Sequence, residues 1–190
     1  MRIGLLGGSF DPPHNGHLLA AGDAHEALRL DCLLLIPAFI QPLKIGQEVS
    51  TSDQRLAMVR LLVDGEPRFQ VDSIEIDRGG LSFTVETLSA LAARWRSAEL
   101  FWLIGADVLK SFAQWREPRR ITELATVVVL QRTGEAPDLT SIPGTPRLLA
   151  SRRIDISSTE IRQRVREGKS IRGFVPDAVT EYIAAARLYR

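Results

Sequence analysis

Two histidines three residues apart, His14 and His17, follow a glycine pair in the run Gly7-Gly-Ser-Phe-Asp-Pro-Pro-His-Asn-Gly-His17. Glycines let a backbone turn sharply and approach a ligand, and imidazoles donate hydrogen bonds to anions, so this spelling suits phosphate chemistry. Ile3, Leu5 and Leu6 just before it read as a short buried strand, and Pro12-Pro13 stiffen the entry to a helix beginning near His14. A helix that starts at the carboxyl end of a parallel strand favours anions, because its unpaired N–H groups and its dipole point at them. Both imidazoles then project from one face of the first turn. Taken alone, a pair of histidines at this spacing is more simply explained as part of an ordinary strand-to-helix turn.

A second constellation is Ile156-Ser-Ser-Thr-Glu-Ile-Arg162. Ser157 and Glu160 form a capping-box pattern, which explains them structurally. Hydroxyls and free N–H groups at that helix start, with Arg162 one turn in, would also clamp outer phosphates. Other candidates stand singly between the two runs. Lys44, one of only three lysines, ends the loop from Pro37 and reads equally as an exposed loop cation. Asp107 follows the apolar run Glu99–Ile104 and has a bland role as a helix cap, and Arg55 is explained equally by an ion pair. Trp95 and Trp102 sit within periodic apolar patterns and read as core.

The elements that position these residues alternate. Strand patterns at residues 2–6, Asp31–Ile36, Glu99–Ile104 and Ala125–Leu130 are separated by helical ones, the signature of a doubly wound, mostly parallel α/β sheet of Rossmann-like type. Thr51-Ser-Asp-Gln54 is a capping box opening a helix through Leu62. Phe69–Val71 and Ser73–Ile76 alternate like short strands. Ser82 is a sufficient N-cap for the helix carrying Val85, Leu88 and Ala92. Residues 133–146 read as a mobile loop, Arg147–Ala150 as a short strand, and 151–190 as a helical C-terminal part of one domain spanning 1–190, with Pro176 opening the last helix.

The chain has 190 residues, 45% of them hydrophobic, enough for a packed core. A net charge of +1 gives no global footprint for nucleic acid or a membrane surface. Residues 147–190 hold ten Lys and Arg against five Asp and Glu, a basic segment that could serve a polyphosphate or simply be a solvated face. The single cysteine, Cys32, excludes an intrachain disulfide, and no run reaches membrane-spanning length, so a cytoplasmic protein is expected. Gly168-Lys-Ser170 is no P-loop, since Gln163 stands where the first glycine belongs. A zinc site from Asp11, His14, His17 and Cys32 has poor spacing, and no metal ligands are assigned.

GGSFDPPHNGH resembles the H-x-G-H signature of the nucleotidylyltransferase superfamily, and its spelling looks most like the nicotinate-nucleotide adenylyltransferases. ISSTEIR resembles the second superfamily signature, and Gly-x-Asp107 followed by Trp115 reproduces the family spacing of an aspartate and an aromatic wall. Two departures stand out: Phe83 replaces the usual tyrosine of Ser-Tyr-Thr, and Leu43 stands where Pro-His often precedes the lysine. The resemblance implies transfer of the adenylyl group of ATP to nicotinate mononucleotide, with Mg²⁺ carried by ATP. It implies that His14 and His17 meet the α- and β-phosphates and that Gly7, Gly8, Ser9 and Phe10 cradle the triphosphate. Asp107 would face adenosine. Ile156, Ser157, Ser158 and Arg162 would hold the leaving pyrophosphate, and Lys44, Thr84 and Trp115 the mononucleotide. Phosphopantetheine adenylyltransferase and a non-catalytic nucleotide sensor are the alternatives, and association into a homo-oligomer is left open.

Overall fold

The computed structural model describes residues 1–46, 49–132, 137–152 and 154–190. Six strands, β1 (Arg2–Gly8), β2 (Cys32–Pro37), β3 (Phe69–Val71), β4 (Glu99–Gly105), β5 (Thr126–Arg132) and β6 (Arg147–Ser151), form one sheet in the order β3-β2-β1-β4-β5-β6. Every pairing in it is parallel. The strands read as unbroken apolar runs because both faces of the sheet are covered.

Alternation along each strand sends neighbouring residues to opposite cores. Ile3, Leu5, Leu34, Ile36, Trp102, Ile104, Val127 and Val129 face one side, where they meet α4 (Thr84–Arg94), α5 (Leu109–Phe112) and α6 (Pro118–Leu124). Leu6, Leu33, Leu35, Phe101, Leu103 and Val128 face the other, under α1 (Asn15–Leu28) and α2 (Ser52–Val63). Leu88 and Leu91 of α4 are fully buried, each contributing about 1.5–3 kcal/mol of transfer free energy. A third cluster joins Met58 of α2 to the C-terminal helices α7 (Ser158–Arg166) and α8 (Asp177–Ala185) through Ile161, Val179, Ile183 and Tyr189.

Since β1 connects to β2 on one side and borders β4 on the other, the winding direction reverses at β1. The crevice that this leaves at the carboxyl ends of β1 and β4 is where open α/β sheets bind ligands. No described helix is long and apolar enough to cross a membrane.

Three local expectations are corrected. Ser73–Ile76 is not strand: the Asp72 side chain accepts from the Ile74 N–H at 3.0 Å and turns the chain into the short helix α3 (Ile74–Arg78). Ser82 does not cap α4, because its hydroxyl accepts instead from the Phe39 N–H at 2.9 Å and Phe83 occupies the cap position. Asp107 lies inside a 3₁₀ turn, Ala106–Val108, rather than capping a helix. Of the expected loop at 133–146, residues 133–136 lie outside the described residues.

Candidate active site

The glycine turn is demanded by what stands beside it. A Cβ on Gly7 would come within 2.7 Å of the Trp102 indole, which β4 brings alongside β1 by pairing Leu5 with Trp102. Past the turn, Ser9 donates to the Gln41 side chain at 2.8 Å, and Phe10 takes a left-handed φ of 52° with its ring buried against His17. Such a backbone costs a non-glycine residue about 1–3 kcal/mol and persists only where the surroundings impose it.

Arg55 holds the residue just before Phe10. Arg55, one turn into α2, is 1% exposed, and its guanidinium donates to three main-chain carbonyls: Ser9 at 2.8 Å, Ala38 at 2.5 Å and Phe39 at 2.8 Å. Through these bonds the side chain clamps the ends of β1 and β2 together, a role beyond the ion pair that the sequence suggested.

His14 caps α1, and its N–H donates to Nδ1 of His17 at 3.1 Å. The two rings stack with centroids 3.7 Å apart. Because Nδ1 of His17 is the acceptor, the proton of a neutral His17 sits on Nε2, which fixes the tautomer as a donor at that atom. Burial pushes His14 down to about 4. His17 is held well below the ordinary imidazole range, first by burial, then by His14 and Lys44. Both rings are thus neutral at pH 7, and among the described residues the buried Nδ1 of His14 has no hydrogen-bond partner.

This arrangement makes stability depend on pH. Between the ordinary value of 6.5 and about 4 the unfolded chain takes up a proton at position 14 that the folded chain refuses. Stability is fully present above that window and falls as pH drops through it, by about 3 kcal/mol for His14. A melting temperature that declines from pH 7 to pH 4.5, with a shallower decline in His14→Gln, is the expected result. An equal slope in both proteins would place the pH dependence elsewhere.

The C-terminal constellation meets this loop. The Ser158 hydroxyl donates to the Pro12 carbonyl and Arg162 Nη1 to the Asp11 carbonyl, both at 2.8 Å, while Ser157 caps α7 by accepting from the Glu160 N–H at 3.2 Å. Ile156 packs against the third cluster. The two runs, about 140 positions apart, are therefore neighbours.

Beside the glycine turn a cavity of about 110 Å³ is lined by Gly7, Gly8, Thr84 and Trp115, with Phe83, Gln41 and Glu75. Trp115 is braced by Phe112, ring centroids 5.0 Å apart. Lys44 stands in the exposed 3₁₀ turn Pro42–Lys44, outside the cavity lining but close enough to act on His17. Asp107 is exposed at the carboxyl end of β4, and neither it nor the α7 start contributes to the cavity wall.

Sequence reasoning missed four participants. Trp102 is core, as expected, yet it also lines the cavity. Glu75 is buried in the wall; burial raises its carboxyl, against hydrogen bonds from Thr87 and Ser82 that act the other way. Asp11 and Tyr189 are joined at the base of the histidine loop. A short helix start after Asp72 was the one available signal for Glu75; the others depend on tertiary contacts.

A parallel sheet with a glycine turn at its switch point, stacked imidazoles at a helix start and a cavity alongside make the framework of an α/β nucleotide-binding protein. Residues 5–164 match the cytidylyltransferase-like family. Across the whole chain the sequence is 52% identical to a probable nicotinate-nucleotide adenylyltransferase of Gemmatimonas aurantiaca, covering 93% of that protein. It is 44% identical to one of Thermus thermophilus, covering 100% of both. In fold it is similar to the nicotinic acid mononucleotide adenylyltransferase of Plasmodium falciparum solved in complex with NaAD, with a TM-score of 0.81 at 16% identity, over 99% of this chain and 97% of that one. The chain belongs to the cytidylyltransferase-like family and, within it, to the nicotinate-nucleotide adenylyltransferases.

Proposed function

We propose that this protein transfers the adenylyl group of ATP to nicotinate mononucleotide, giving deamido-NAD and pyrophosphate. The observation that carries the reading is the junction at Gly7-Gly8: the same two residues line the aromatic cavity and lead into the loop that presents His17 as an Nε2–H donor. A mononucleotide in the cavity and a triphosphate on the loop would meet there.

The chemistry is one displacement at phosphorus. A phosphate oxygen of the mononucleotide bonds to the α-phosphorus of ATP, the bond from that phosphorus to the bridging oxygen of the β-phosphate breaks, and pyrophosphate leaves with the electron pair. The nucleophile is already ionised at neutral pH, so no general base is needed, and catalysis is positioning and charge stabilisation. In this reading His14 and His17 donate to the α- and β-phosphates, which is supported by the buried Nδ1 of His14, without a hydrogen-bond partner among the described residues. The Gly7–Phe10 backbone cradles the triphosphate, and Asp107 faces the adenosine. Ile156, Ser157, Ser158 and Arg162 border the leaving pyrophosphate, with Arg162 bound to both loop and phosphate. Lys44, Thr84 and Trp115 receive the mononucleotide, the indole stacking on the pyridine. In this reading Mg²⁺ enters as part of the substrate MgATP. We place the reaction in the cytoplasm.

Pyrophosphate release from MgATP, with nicotinate mononucleotide, nicotinamide mononucleotide and phosphopantetheine offered in parallel, tests the reading. Release with the nicotinate form above the other two is expected. Release only with phosphopantetheine would replace the acceptor, and none with any would leave a nucleotide-binding module. For the division of the site, Trp115→Ala is expected to raise the KM for the mononucleotide about tenfold or more while the KM for ATP changes little. A selective ATP defect would reverse the two substrates.

A further inference from the structure

Asp11 lies three residues before His14 and is 4% exposed. Its carboxylate is held by neutral donors from two distant segments. One oxygen accepts from the Ser50 hydroxyl at 2.6 Å and from the Tyr189 phenol at 2.6 Å, and the other accepts from the Val49 N–H at 2.7 Å. Ser50 and Tyr189 oxygens are themselves 2.7 Å apart, closing a buried triangle. Ser50 and Tyr189 are as buried as Asp11.

The rest of the segment from Asp11 to Asn15 is also tied to the C-terminal part of the chain. Arg162 and Ser158 hold the carbonyls of Asp11 and Pro12, and Asn15 donates its N–H to the Phe174 carbonyl and its side-chain amide to the Gly173 carbonyl, each at 2.8 Å. Tyr189 reaches the Asp11 side chain itself, from a strained stretch of backbone. Arg187 and Tyr189 both have left-handed φ values, 53° and 61°, a conformation that a bulky residue keeps only where packing imposes it. Leu188 and the Tyr189 ring supply that packing in the cluster with Met58, Val179 and Ile183. Burial and the neighbouring Asp11 raise the phenol, so it stays a protonated donor.

We propose that Tyr189 is a positioning residue for adenylyl transfer: through Asp11 and Ser50 its phenol locks the histidine loop to the segment that carries Lys44, setting where His14 and His17 stand. The kinetic part of this proposal rests on the adenylyltransferase reading. The distance the effect must travel is short, since Asp11 and His14 share one loop and Ser50 directly precedes the Thr51 cap of α2.

The test compares Tyr189→Phe and Ser50→Ala with wild type and with Tyr182→Phe, a phenol packed on the same cluster outside the triangle. Activity is measured well below each melting temperature, and histidine ring tautomers are read from long-range ¹H–¹⁵N spectra without substrate. Tyr189→Phe is expected to lower kcat about tenfold or more with both KM values nearly unchanged, the scale of a small misplacement of catalytic groups. Its His17 spectrum shifts from the single Nε2–H form to a mixture, while Tyr182→Phe matches wild type in both. A lowered melting temperature with kcat and the histidine spectrum unchanged would reduce Tyr189 to a structural anchor and overturn the proposal. Should wild type transfer no adenylyl group, the functional reading fails, and the histidine spectra still decide: a shift in Tyr189→Phe supports positioning, no shift overturns it. If Tyr189→Phe does not fold, Ser50→Ala is judged by the same two readouts.

Discussion

Replacing His17 with alanine is expected to cut kcat by about two orders of magnitude or more while leaving ATP binding nearly intact, the scale of losing one donor aimed at a transition state. The reason lies in the ring's electrostatics. A permanently charged residue would bind ground-state phosphates tightly and gain little more as charge develops, whereas a neutral imidazole with its proton fixed on Nε2 donates most strongly when the oxygen opposite carries most charge. Burial, His14 and Lys44 keep His17 in that neutral state. Single-turnover rates and ATP titrations on the same variant separate the two effects. Unchanged turnover would remove His17 from the mechanism, and an equal loss in ATP affinity and kcat/KM would make it a binding group only.

The second large effect falls on stability. Arg55→Met keeps most of the aliphatic stem and removes the donors to three carbonyls of Ser9, Ala38 and Phe39. Charge-assisted hydrogen bonds contribute about 1.5–3 kcal/mol each, and of the carbonyls left behind that of Ala38 is buried and those of Ser9 and Phe39 are partly buried, so a loss of about 3–5 kcal/mol is expected. Urea denaturation measures it directly. A loss under about 1 kcal/mol would mean that water takes over the carbonyls, and the clamp would then have no energetic content. Because the left-handed Phe10 follows Ser9, the residual folded protein should also lose activity.

The two readings of Arg55 show where local inference ends. An arginine one turn into a capped helix most simply pairs with a carboxylate, and the Thr51 box that opens its helix was legible because cap and partner are three residues apart. The carbonyls that it serves come from the ends of two strands, which only the parallel pairing of β1 with β2 brings together. Trp102 has the same history. Its period-two neighbours mark it as core, and it is core, but that it also floors a cavity depends on which strand lies alongside and on a glycine opposite it. Ser82 and the Ser73–Ile76 segment failed for a different cause: short polar side chains choose among several nearby backbone partners, and the choice is made by whichever strand or turn arrives next to them.

By itself the sequence determined the doubly wound sheet, its strands and its longer helices, the glycine turn at the histidine pair and the second run at Ser157–Arg162. Apolar periodicity, glycine and caps act over about ten residues, within the range that a linear pattern can express. Tertiary structure alone decided that Arg162 and Ser158 grip Asp11 and Pro12, that Trp102 shares a wall with Trp115, and that Tyr189 reaches Asp11 across 178 positions. Those contacts are made between surfaces that exist only after the sheet has closed its two cores, and a hydrogen bond takes its partner from the neighbour that packing supplies.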